Sequence, residues 1–129
     1  MVGGLSDEQV ERRFGHALAQ RAIFSAMARS FEPRYAFGFE GEIQYELTSS
    51  RNGSAPSRWT VTVADGHASA RRGAASDPAV TLRIPTADFL RLAAGANPGA
   101  VLLEGRMEVD GDFGVAGRLV EMFGGPSPY

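Results

Sequence analysis

The pattern that most constrains the fold is a strict alternation of side-chain types over residues 39–47, which read FEGEIQYEL. The odd-numbered positions are apolar at Phe39, Ile43, Tyr45 and Leu47, and position 41 among them is a glycine. The even-numbered positions between them hold glutamate or glutamine. Successive side chains of a β-strand point to opposite faces, so the segment predicts a strand with one apolar face and one solvated face. We therefore expect a sheet that is packed on one side and wet on the other.

Four later segments repeat this alternation more briefly and predict four further strands. Their apolar positions are Trp59, Val61 and Val63, then Ala68 and Ala70, then Val80, Leu82 and Ile84, and last Met107 and Val109. The dipeptide at residues 65–66, Asp-Gly, is typical of a tight turn and predicts a hairpin between the second and third strands. The expected fold class is α+β, with one five-stranded, mainly antiparallel sheet in a single domain over residues 1–129.

A long helix is predicted before the strands. Ser6 followed by Gln9 forms a capping-box pattern, and Pro33 marks the end of the helix. Between them, apolar residues recur at helical spacing in two rows, which are Val10, Phe14, Leu18 and Ala22, and Ile23, Met27 and Phe31. We expect these rows to form a wide face that lies against the sheet.

Two short helical signals follow the fourth strand. Thr86 is expected to cap a helix that ends at Gly95, and residues 97–98, Asn-Pro, begin a second short apolar segment. After the fifth strand a last helix is predicted over residues 113–123, and residues 124–129 are expected to form a tail.

The last predicted helix is apolar around most of its circumference, with Arg118 and Glu121 as its charged residues. A helix that covers a core needs only one apolar stripe, so the excess predicts a second apolar neighbour: a partner chain, a membrane or a bound lipid. Glycines at 111, 114 and 117 do not have the spacing of a dinucleotide-binding fingerprint. They predict a close approach of another element to this helix.

The solvated faces of the predicted strands carry opposite charges. The first strand offers Glu40, Glu42 and Glu46, and the next three offer Arg58, Arg71 and Arg83. Opposite charges on neighbouring strands contribute about 0.2–1 kcal/mol per pair to the stability of a sheet. We interpret these residues as a solvent-facing device that sets strand register, and an acidic binding face is the less favoured alternative.

Composition excludes several classes of function. The chain has 13 arginines, no lysine and 15 acidic residues, so its net charge of −2 argues against a nucleic-acid-binding protein and provides no polybasic membrane patch. The absence of cysteine excludes disulfides, a thiolate nucleophile and cysteine-ligated metals. No apolar run approaches the ~20 residues that a membrane-spanning helix needs, and the first residues do not resemble a secretory signal. We expect a soluble cytoplasmic protein.

Residues that often carry catalysis have plainer structural explanations in this sequence. His16 and His67 are far apart and lack a suitably spaced partner, so they predict neither a general base nor a metal site. Asp88 and Asp112 stand at predicted helix starts, where a carboxylate stabilises the first turn. We expect no catalytic residue, no metal and no cofactor.

Several motifs in the second half of the chain, taken in order, resemble one known family. Residues 77–84 read DPAVTLRI, residues 86–95 read TADFLRLAAG, residues 97–98 are Asn-Pro, and residues 103–112 read LEGRMEVDGD. This succession of a strand, a short helix, an Asn-Pro turn and a strand that ends in Gly-Asp resembles the lipid-binding domain of the sterol carrier protein-2 family. The resemblance covers residues 59–123, and Met107 stands where the family usually has leucine.

The resemblance implies that helices cover one face of the sheet and enclose a hydrophobic tunnel. It also implies that the domain binds and transfers a sterol, a fatty acid or a fatty acyl-CoA and catalyses no reaction; stand-alone domains of this type are common in bacteria. Two of the expected lining residues, Tyr45 and Trp59, could also offer a polar atom to a head group. The full set expected to line the tunnel is Ile43, Tyr45, Trp59, Leu82, Ile84, Phe89, Leu92, Leu103, Met107, Val109, Phe113, Leu119, Met122 and Phe123.

Three hypotheses of function remain at this point. The leading one is an intracellular carrier whose partners are an apolar small molecule and, transiently, a membrane. The alternative is an interaction or dimerisation module with a vestigial cavity, whose last helix packs on a partner or on a second copy. A small enzyme of the ketosteroid-isomerase type is the third, and it is disfavoured because such chains end on strands and need a pocket Asp or His. The sequence leaves the ligand open, as well as the choice between monomer and homodimer.

Overall fold

The elements follow the order that the sequence predicts. The computed structural model describes residues 17–49, 55–93 and 107–122. The described helices are α1 (Ala17–Arg29), α2 (Thr86–Ala93) and α3 (Phe113–Met122), and a short 3-10 turn covers Pro33–Tyr35. The strands are β1 (Gly41–Thr48), β2 (Ser57–Ala64), β3 (His67–Arg72), β4 (Pro78–Pro85) and β5 (Glu108–Gly111).

The five strands form one sheet in the order β3-β2-β1-β4-β5. The pairs β1–β2, β2–β3 and β4–β5 are antiparallel, whereas β1 and β4 are parallel. The predicted α+β fold with a five-stranded, mainly antiparallel sheet is therefore confirmed. Because β1 occupies the centre, the direction of each of its side chains determines which neighbouring side chains share its face.

The apolar face of the sheet and the helices build one core. From the strands, the buried apolar side chains are Ile43, Tyr45, Leu47, Trp59, Val61, Val63, Val80, Leu82 and Ile84. From the helices, Phe24, Phe89, Val115, Leu119 and Met122 join the same cluster. Full burial of one large apolar side chain contributes about 1.5–3 kcal/mol relative to exposure, so this cluster holds the helices on that face.

The polar face is less wet than the alternation predicts. β3 and β4 lie on opposite sides of the β1–β2 pair, so the connection over residues 73–77 has to cross those two strands, and it crosses them on the polar face. The backbone N–H of Ala75 donates to Gln44 Oε1 at 2.8 Å, and Thr60 Oγ1 donates to the carbonyl of Gly73 at 2.9 Å. Thr60 is fully buried as a result, and the expectation of a solvated face is corrected at this position.

The predicted charge pairs on this face are confirmed for Glu42 and Glu46, whereas Glu40 accepts a hydrogen bond from the backbone N–H of Asp65. Glu46 on β1 is directly opposite Arg58 on β2 and Arg83 on β4. Its carboxylate lies 3.6 Å from Arg58 Nε and 3.2 Å from Arg83 Nε, which leaves Glu46 buried between two guanidinium groups. A third pair joins Glu42 to Arg71 at 3.5 Å. A shift of β1 by one residue would place these glutamates in the apolar core, so the pairs disfavour the alternative register.

The face that α1 presents to the core differs from the predicted one. Leu18 is 76% exposed and Ala22 is also exposed, so the row containing them does not face the sheet in the described part of α1. The buried positions are Gln20 and Phe24, while Ile23 is partly buried. The second predicted row is confirmed, because Ile23, Met27 and Phe31 pack against the core. The first row was wrong because the buried row begins with a glutamine, and a count of apolar residues alone therefore favours the side of the helix that carries Leu18 and Ala22.

Residues around α3 account for both ends of that helix. Asp112 Oδ1 accepts hydrogen bonds from the backbone N–H groups of Gly114 at 2.8 Å and Val115 at 3.1 Å, which confirms the predicted N-terminal cap. At the other end, the backbone N–H of Glu32 donates to the carbonyl of Met122 at 2.6 Å. This bond ties the end of α3 to the segment that follows α1.

Some predictions concern residues outside the described part of the chain. They are the capping box at Ser6 and Gln9, the row positions Val10 and Phe14, the helix end at Gly95, the Asn-Pro turn at 97–98 and the tail at 124–129. The predicted cap residue Thr86 begins α2, and its hydroxyl donates to the carbonyl of Thr48 at 3.0 Å. This hydrogen bond fixes the start of α2 against the end of β1.

We expect Gly111→Ala to lower the free energy of unfolding by about 2 kcal/mol or more, because residue 111 has φ +109° and an added Cβ would collide with the backbone of Ala79 and Val80. Gly117→Ala is the matched control, because Gly117 lies inside helix α3 and, apart from its chain neighbours and the backbone of that helix, no heavy atom of the described chain lies within 4 Å of its Cβ position. The control should raise stability by about 0.5–1 kcal/mol. Urea unfolding measures both, and equal effects of the two substitutions would contradict the close β4–β5 contact.

Candidate ligand-binding site

Four aromatic rings meet between α1, α2 and the sheet. The ring of Phe24 stacks on Trp59, with centroids 4.8 Å apart and an interplanar angle of 13°, and on Phe89, at 5.0 Å and 15°. Tyr45 meets Phe24 edge to face at 5.2 Å. Because all four side chains are buried, this aromatic cluster forms the centre of the apolar interior on the helix-covered face.

The sheet register brings the strand members of the cluster together. Tyr45 on β1 is directly opposite Trp59 on β2, and on its other side it is opposite Leu82 on β4. All three point to the same face because directly paired residues of neighbouring strands share a face. Helix α1 then contributes Phe24, and α2, which begins directly after β4, contributes Phe89.

A polar contact fixes the position of α1 over this cluster. Trp59 Nε1 donates a hydrogen bond of 2.9 Å to Gln20 Oε1, and both residues are buried. A buried indole N–H without an acceptor is destabilising, so this bond favours the rotation of α1 that directs Gln20 and Phe24 inward. The sequence analysis expected the indole N–H of Trp59 to be available to a ligand head group. In the structure it donates its hydrogen bond to Gln20 instead.

Tyr45 places a hydroxyl in the same interior. Burial raises the pKa of Tyr45 above its usual value near 10, because the phenolate would be desolvated there. The group therefore stays protonated through the physiological range. A neutral phenol can both donate and accept a hydrogen bond, so Tyr45 is the side chain in this cluster that can interact with a polar ligand atom.

The structure brings most of the predicted lining residues together. Eight of them are buried in the same core cluster, namely Ile43, Tyr45, Trp59, Leu82, Ile84, Phe89, Leu119 and Met122. Met107 and Val109 are partly buried and pack against that cluster. Phe113 lies outside it, 71% exposed at the start of α3. The side chain of Leu92, and residues Leu103 and Phe123, lie outside the described part of the chain.

Sequence reasoning missed the two α1 residues that matter most for this site, Gln20 and Phe24. A usable signal is present, because Gln20, Phe24, Met27 and Phe31 are spaced by four, three and four residues, as expected for one face of a helix. Counting only apolar residues hides this row, since it begins with a glutamine. The presence of a single tryptophan, whose indole needs an acceptor when buried, is the hint that a polar residue belongs in the row.

Charged and titratable groups of the described chain lie mainly away from the aromatic cluster. His67 is exposed at the start of β3, and His16 lies outside the described residues. Asp88 is buried and has Arg91 Nη1 at 3.4 Å from its carboxylate. Within residues 17–49, 55–93 and 107–122, no three His, Asp or Glu side chains come together in a group suited to a metal ion.

Among the residues that the structure describes, no helix has both the length and the hydropathy needed to span a membrane.

The sequence of this chain matches the profile of one known protein family. The profile of the SCP-2 sterol transfer family matches residues 34–124, which is more than half of the chain and includes every described strand. The chain belongs to the SCP-2 sterol transfer family. The resemblance inferred from the second half of the sequence is confirmed, and the domain is of the lipid- or sterol-carrier type. No curated protein is similar enough in sequence to match the chain.

Several solved structures share the fold of this chain. Sterol Carrier Protein 2 Like 2 from Aedes aegypti is 22% identical, with a TM-score of 0.65 over 85% of this chain and 96% of that one. The solution structure of palmitated SCP2L2 from the same mosquito is 21% identical, with a TM-score of 0.63 over 92% and 95%. The alkylsulfatase Pisa1 from Pseudomonas sp. is 16% identical, with a TM-score of 0.60 over 80% of this chain but 16% of that enzyme. The SCP-2 fold thus also occurs as a small part of a larger enzyme.

In this SCP-2 domain, we expect the Gln20–Trp59 hydrogen bond to give a coupling free energy of about 1 kcal/mol in a double-mutant cycle. The cycle compares Gln20→Met, Trp59→Phe and the double variant by urea unfolding followed by circular dichroism. Gln20→Met alone should cost about 1–3 kcal/mol, because it leaves the indole N–H buried without its acceptor. A coupling near zero would mean that this bond does not hold α1 on the sheet.

We expect the free energy of unfolding to fall as the pH rises above about 10, the value of tyrosine in an unfolded chain. The folded state retains the Tyr45 proton because its pKa is raised, so the unfolded state loses protons first and gains stability. The chain has no lysine, which leaves this pH range to tyrosine. Tyr45→Phe should flatten the slope, and Tyr35→Phe is the control; an unchanged slope in Tyr45→Phe would contradict the buried hydroxyl.

Proposed function

We propose that this domain binds a single apolar lipid between its helices and the apolar face of its sheet, and transfers it without changing it chemically. The ligand class is a sterol, a fatty acid or a fatty acyl-CoA. The observation that carries the proposal is the aromatic cluster of Phe24, Tyr45, Trp59 and Phe89 at the centre of an apolar interior. Family membership and the palmitated mosquito relative support the same ligand class.

The lining of the interior suits an alkyl chain or a fused-ring hydrocarbon. Its side chains on the strands are aliphatic or aromatic, and removal of apolar ligand surface from water contributes roughly 25 cal/mol per Å². Few polar contacts are needed for affinity under these conditions, and the Tyr45 hydroxyl supplies one for a hydroxyl or carboxyl group of the ligand.

Entry of a ligand requires a side-chain movement at Phe24. Its ring lies at stacking distance from both Trp59 and Phe89, so an alkyl chain at that level of the sheet takes the place of the ring. A rotation of α1, or a change of the Phe24 rotamer, would open this space. We therefore include the tunnel in the proposal. A bound ligand would occupy it by displacing the Phe24 side chain.

The proposal assigns no catalysis to this chain. Glu46 and Asp88, the buried carboxylates of the described residues, each have an arginine within 3.4 Å, so they are not poised as acid or base in the interior. The likeness to an alkylsulfatase covers 16% of that enzyme and shows a shared fold. The proposal includes a cytoplasmic location and an apolar small molecule as partner.

The competing function is an interaction module that pairs through α3. The observation in its favour is Phe113, which is apolar and 71% exposed at the start of that helix. Sedimentation velocity separates the two: dimerisation that is lost in Phe113→Asp would support the module. A monomer that takes up lipid would support the carrier.

Binding of a fluorescent polyene fatty acid tests the proposed function. Trp59 is the single tryptophan of the sequence, so it serves as the fluorescence donor for energy transfer to the probe. We expect energy transfer from Trp59 to the probe, and about tenfold weaker binding in Leu119→Glu, since a charge would enter the buried cluster. Leu18→Glu is the matched control, because the same substitution at an exposed position should leave the affinity unchanged.

Leu119→Phe covers the case in which Leu119→Glu does not fold, as judged by circular dichroism. The larger apolar side chain keeps the interior dry but fills space, so it should also weaken probe binding. Absence of displaceable binding across fatty acids, acyl-CoA and sterols in the wild-type protein would overturn the carrier function.

A further inference from the structure

The hydroxyl of Tyr45 is a polar group of the interior that the fold itself does not use. Tyr45 is buried, and its ring packs edge to face against Phe24 at 5.2 Å and Phe89 at 6.1 Å. Its hydroxyl forms no hydrogen bond with a described residue. Nearly all buried polar groups in proteins have a hydrogen-bond partner, which the protein or a bound molecule supplies. A molecule that enters the interior can therefore supply the partner of this hydroxyl.

The other buried polar side chains on this side of the molecule already have partners within the protein. The indole N–H of Trp59 donates to Gln20 Oε1 at 2.9 Å. The hydroxyl of Thr86, at the start of α2, donates to the carbonyl of Thr48 at 3.0 Å. Tyr45 is thus the described side chain of the aromatic cluster to which the polar end of a ligand can bind.

The charged side chains next to the cluster in the chain lie on the opposite face of the sheet. Glu46 follows Tyr45, Arg58 precedes Trp59 and Arg83 follows Leu82, so strand alternation directs all three away from the apolar interior. They also neutralise one another, since Glu46 lies between the two guanidinium groups. Glu42 and Arg71 form a further pair on the same face, and Glu108 and Asp110 on β5 are exposed.

The charged side chains of the helices are exposed, paired or placed beside another ring. They are Arg21 and Arg29, exposed on α1; Asp88, which has Arg91 at 3.4 Å on α2; and Arg118 on α3, 5.6 Å from the exposed Phe37 ring. On the edge strand β3, His67 is exposed, and Arg72 is opposite Trp59 but exposed as well. Burial alone raises the pKa of Tyr45, as expected for a phenol with no charge close to it.

We propose that Tyr45 makes this carrier selective for lipids whose buried end is uncharged, so that a hydroxyl-ended lipid binds best and a fatty acid binds in its protonated form. A neutral phenol can donate to, or accept from, a ligand hydroxyl or a protonated carboxyl group. A carboxylate at the same place would bring a charge into an apolar interior in which no described cation is placed to pair with it. This inference rests on the proposed function, because it requires a ligand inside the domain.

The selectivity has a thermodynamic consequence that depends on the ligand alone. A carboxyl group in water ionises at about pH 4.3, so a fatty acid that binds in protonated form takes up a proton near neutral pH. By proton linkage, its affinity then falls up to about tenfold for each unit by which the pH rises. A fatty alcohol or a sterol has no ionisable group, and its affinity should not change in this way.

Isothermal titration calorimetry of the full chain with dodecanol and dodecanoic acid, at about pH 6 and about pH 8, tests the inference. We expect the affinity for dodecanoic acid to fall at least about tenfold between the two pH values, and the affinity for dodecanol to change less than about twofold. Titration at pH 8 in two buffers of different ionisation enthalpy counts the protons exchanged. About one proton should be taken up per dodecanoic acid bound, and none per dodecanol.

Cholesterol, added as a competitor of dodecanol, distinguishes the two sources of a hydroxyl end. Displacement of dodecanol identifies a sterol as a ligand, and absence of displacement identifies the alkyl alcohol. Either result supports the inference as long as dodecanol binds more tightly than dodecanoate at pH 8.

Tyr45→Phe removes the hydroxyl and keeps the ring, so it tests the residue itself. Loss of one hydrogen bond should weaken dodecanol binding about fivefold. Binding of 1-chlorododecane, which has neither a hydroxyl nor a carboxyl end, should change less than twofold in the same variant. Tyr35→Phe is the matched control, because Tyr35 is exposed at the end of the 3-10 turn, and it should leave both affinities unchanged.

Three outcomes would overturn the inference: equal affinities for dodecanol and dodecanoate at pH 8, binding of dodecanoic acid without proton uptake, or unchanged dodecanol binding in Tyr45→Phe. Each of them leaves the carrier function in place, because a lipid still binds. Absence of binding by every ligand at both pH values would instead overturn the proposed function, and the inference with it. The first two comparisons use the wild-type chain, so they do not depend on the folding of a variant.

Discussion

The central position of β1 is the constraint on which the rest of the fold depends. β1 pairs with β2 on one side and with β4 on the other, so its alternating side chains set both faces of the sheet. Tyr45 aligns Trp59 and Leu82 on the apolar face, and Glu46 aligns Arg58 and Arg83 on the polar face. A shift of one residue would bury the glutamates and expose the aromatic residues, which makes this register strongly preferred.

The apolar interior depends on one polar contact. The Gln20–Trp59 hydrogen bond fixes which side of α1 faces the sheet, and that choice places Phe24 between Trp59 and Phe89. A purely apolar contact would allow α1 to rotate or slide at modest cost, whereas an unpaired indole N–H would not. The same arrangement leaves Tyr45 as the polar group of the cluster that is able to bind a ligand atom, while its raised pKa keeps it neutral.

The strands, their charge pairs and the Asp112 cap could be predicted from the sequence because each depends on residues close together in the chain or on simple alternation. The buried side of α1 could not, because the decisive contact joins residues 39 positions apart and uses a glutamine. The covered polar face was missed for a similar reason. Only the strand order shows that residues 73–77 have to cross β1 and β2, and strand order is a long-range property. At the site, strand alternation correctly identified Tyr45, Trp59 and Leu82 as members of the buried cluster. Helix α3 is apolar around most of its circumference, so its periodicity does not show which side is buried, and the exposure of Phe113 could not be predicted.

Membership in the SCP-2 sterol transfer family and the apolar interior together favour a carrier whose binding energy comes from burial of a hydrocarbon ligand. The most direct measurement is native mass spectrometry of the chain after incubation with a total lipid extract and removal of excess lipid. We expect one lipid bound per chain, with a mass that identifies it as a fatty acid, an acyl-CoA or a sterol. A spectrum that contains only the bare polypeptide, from protein with native circular dichroism, would contradict it.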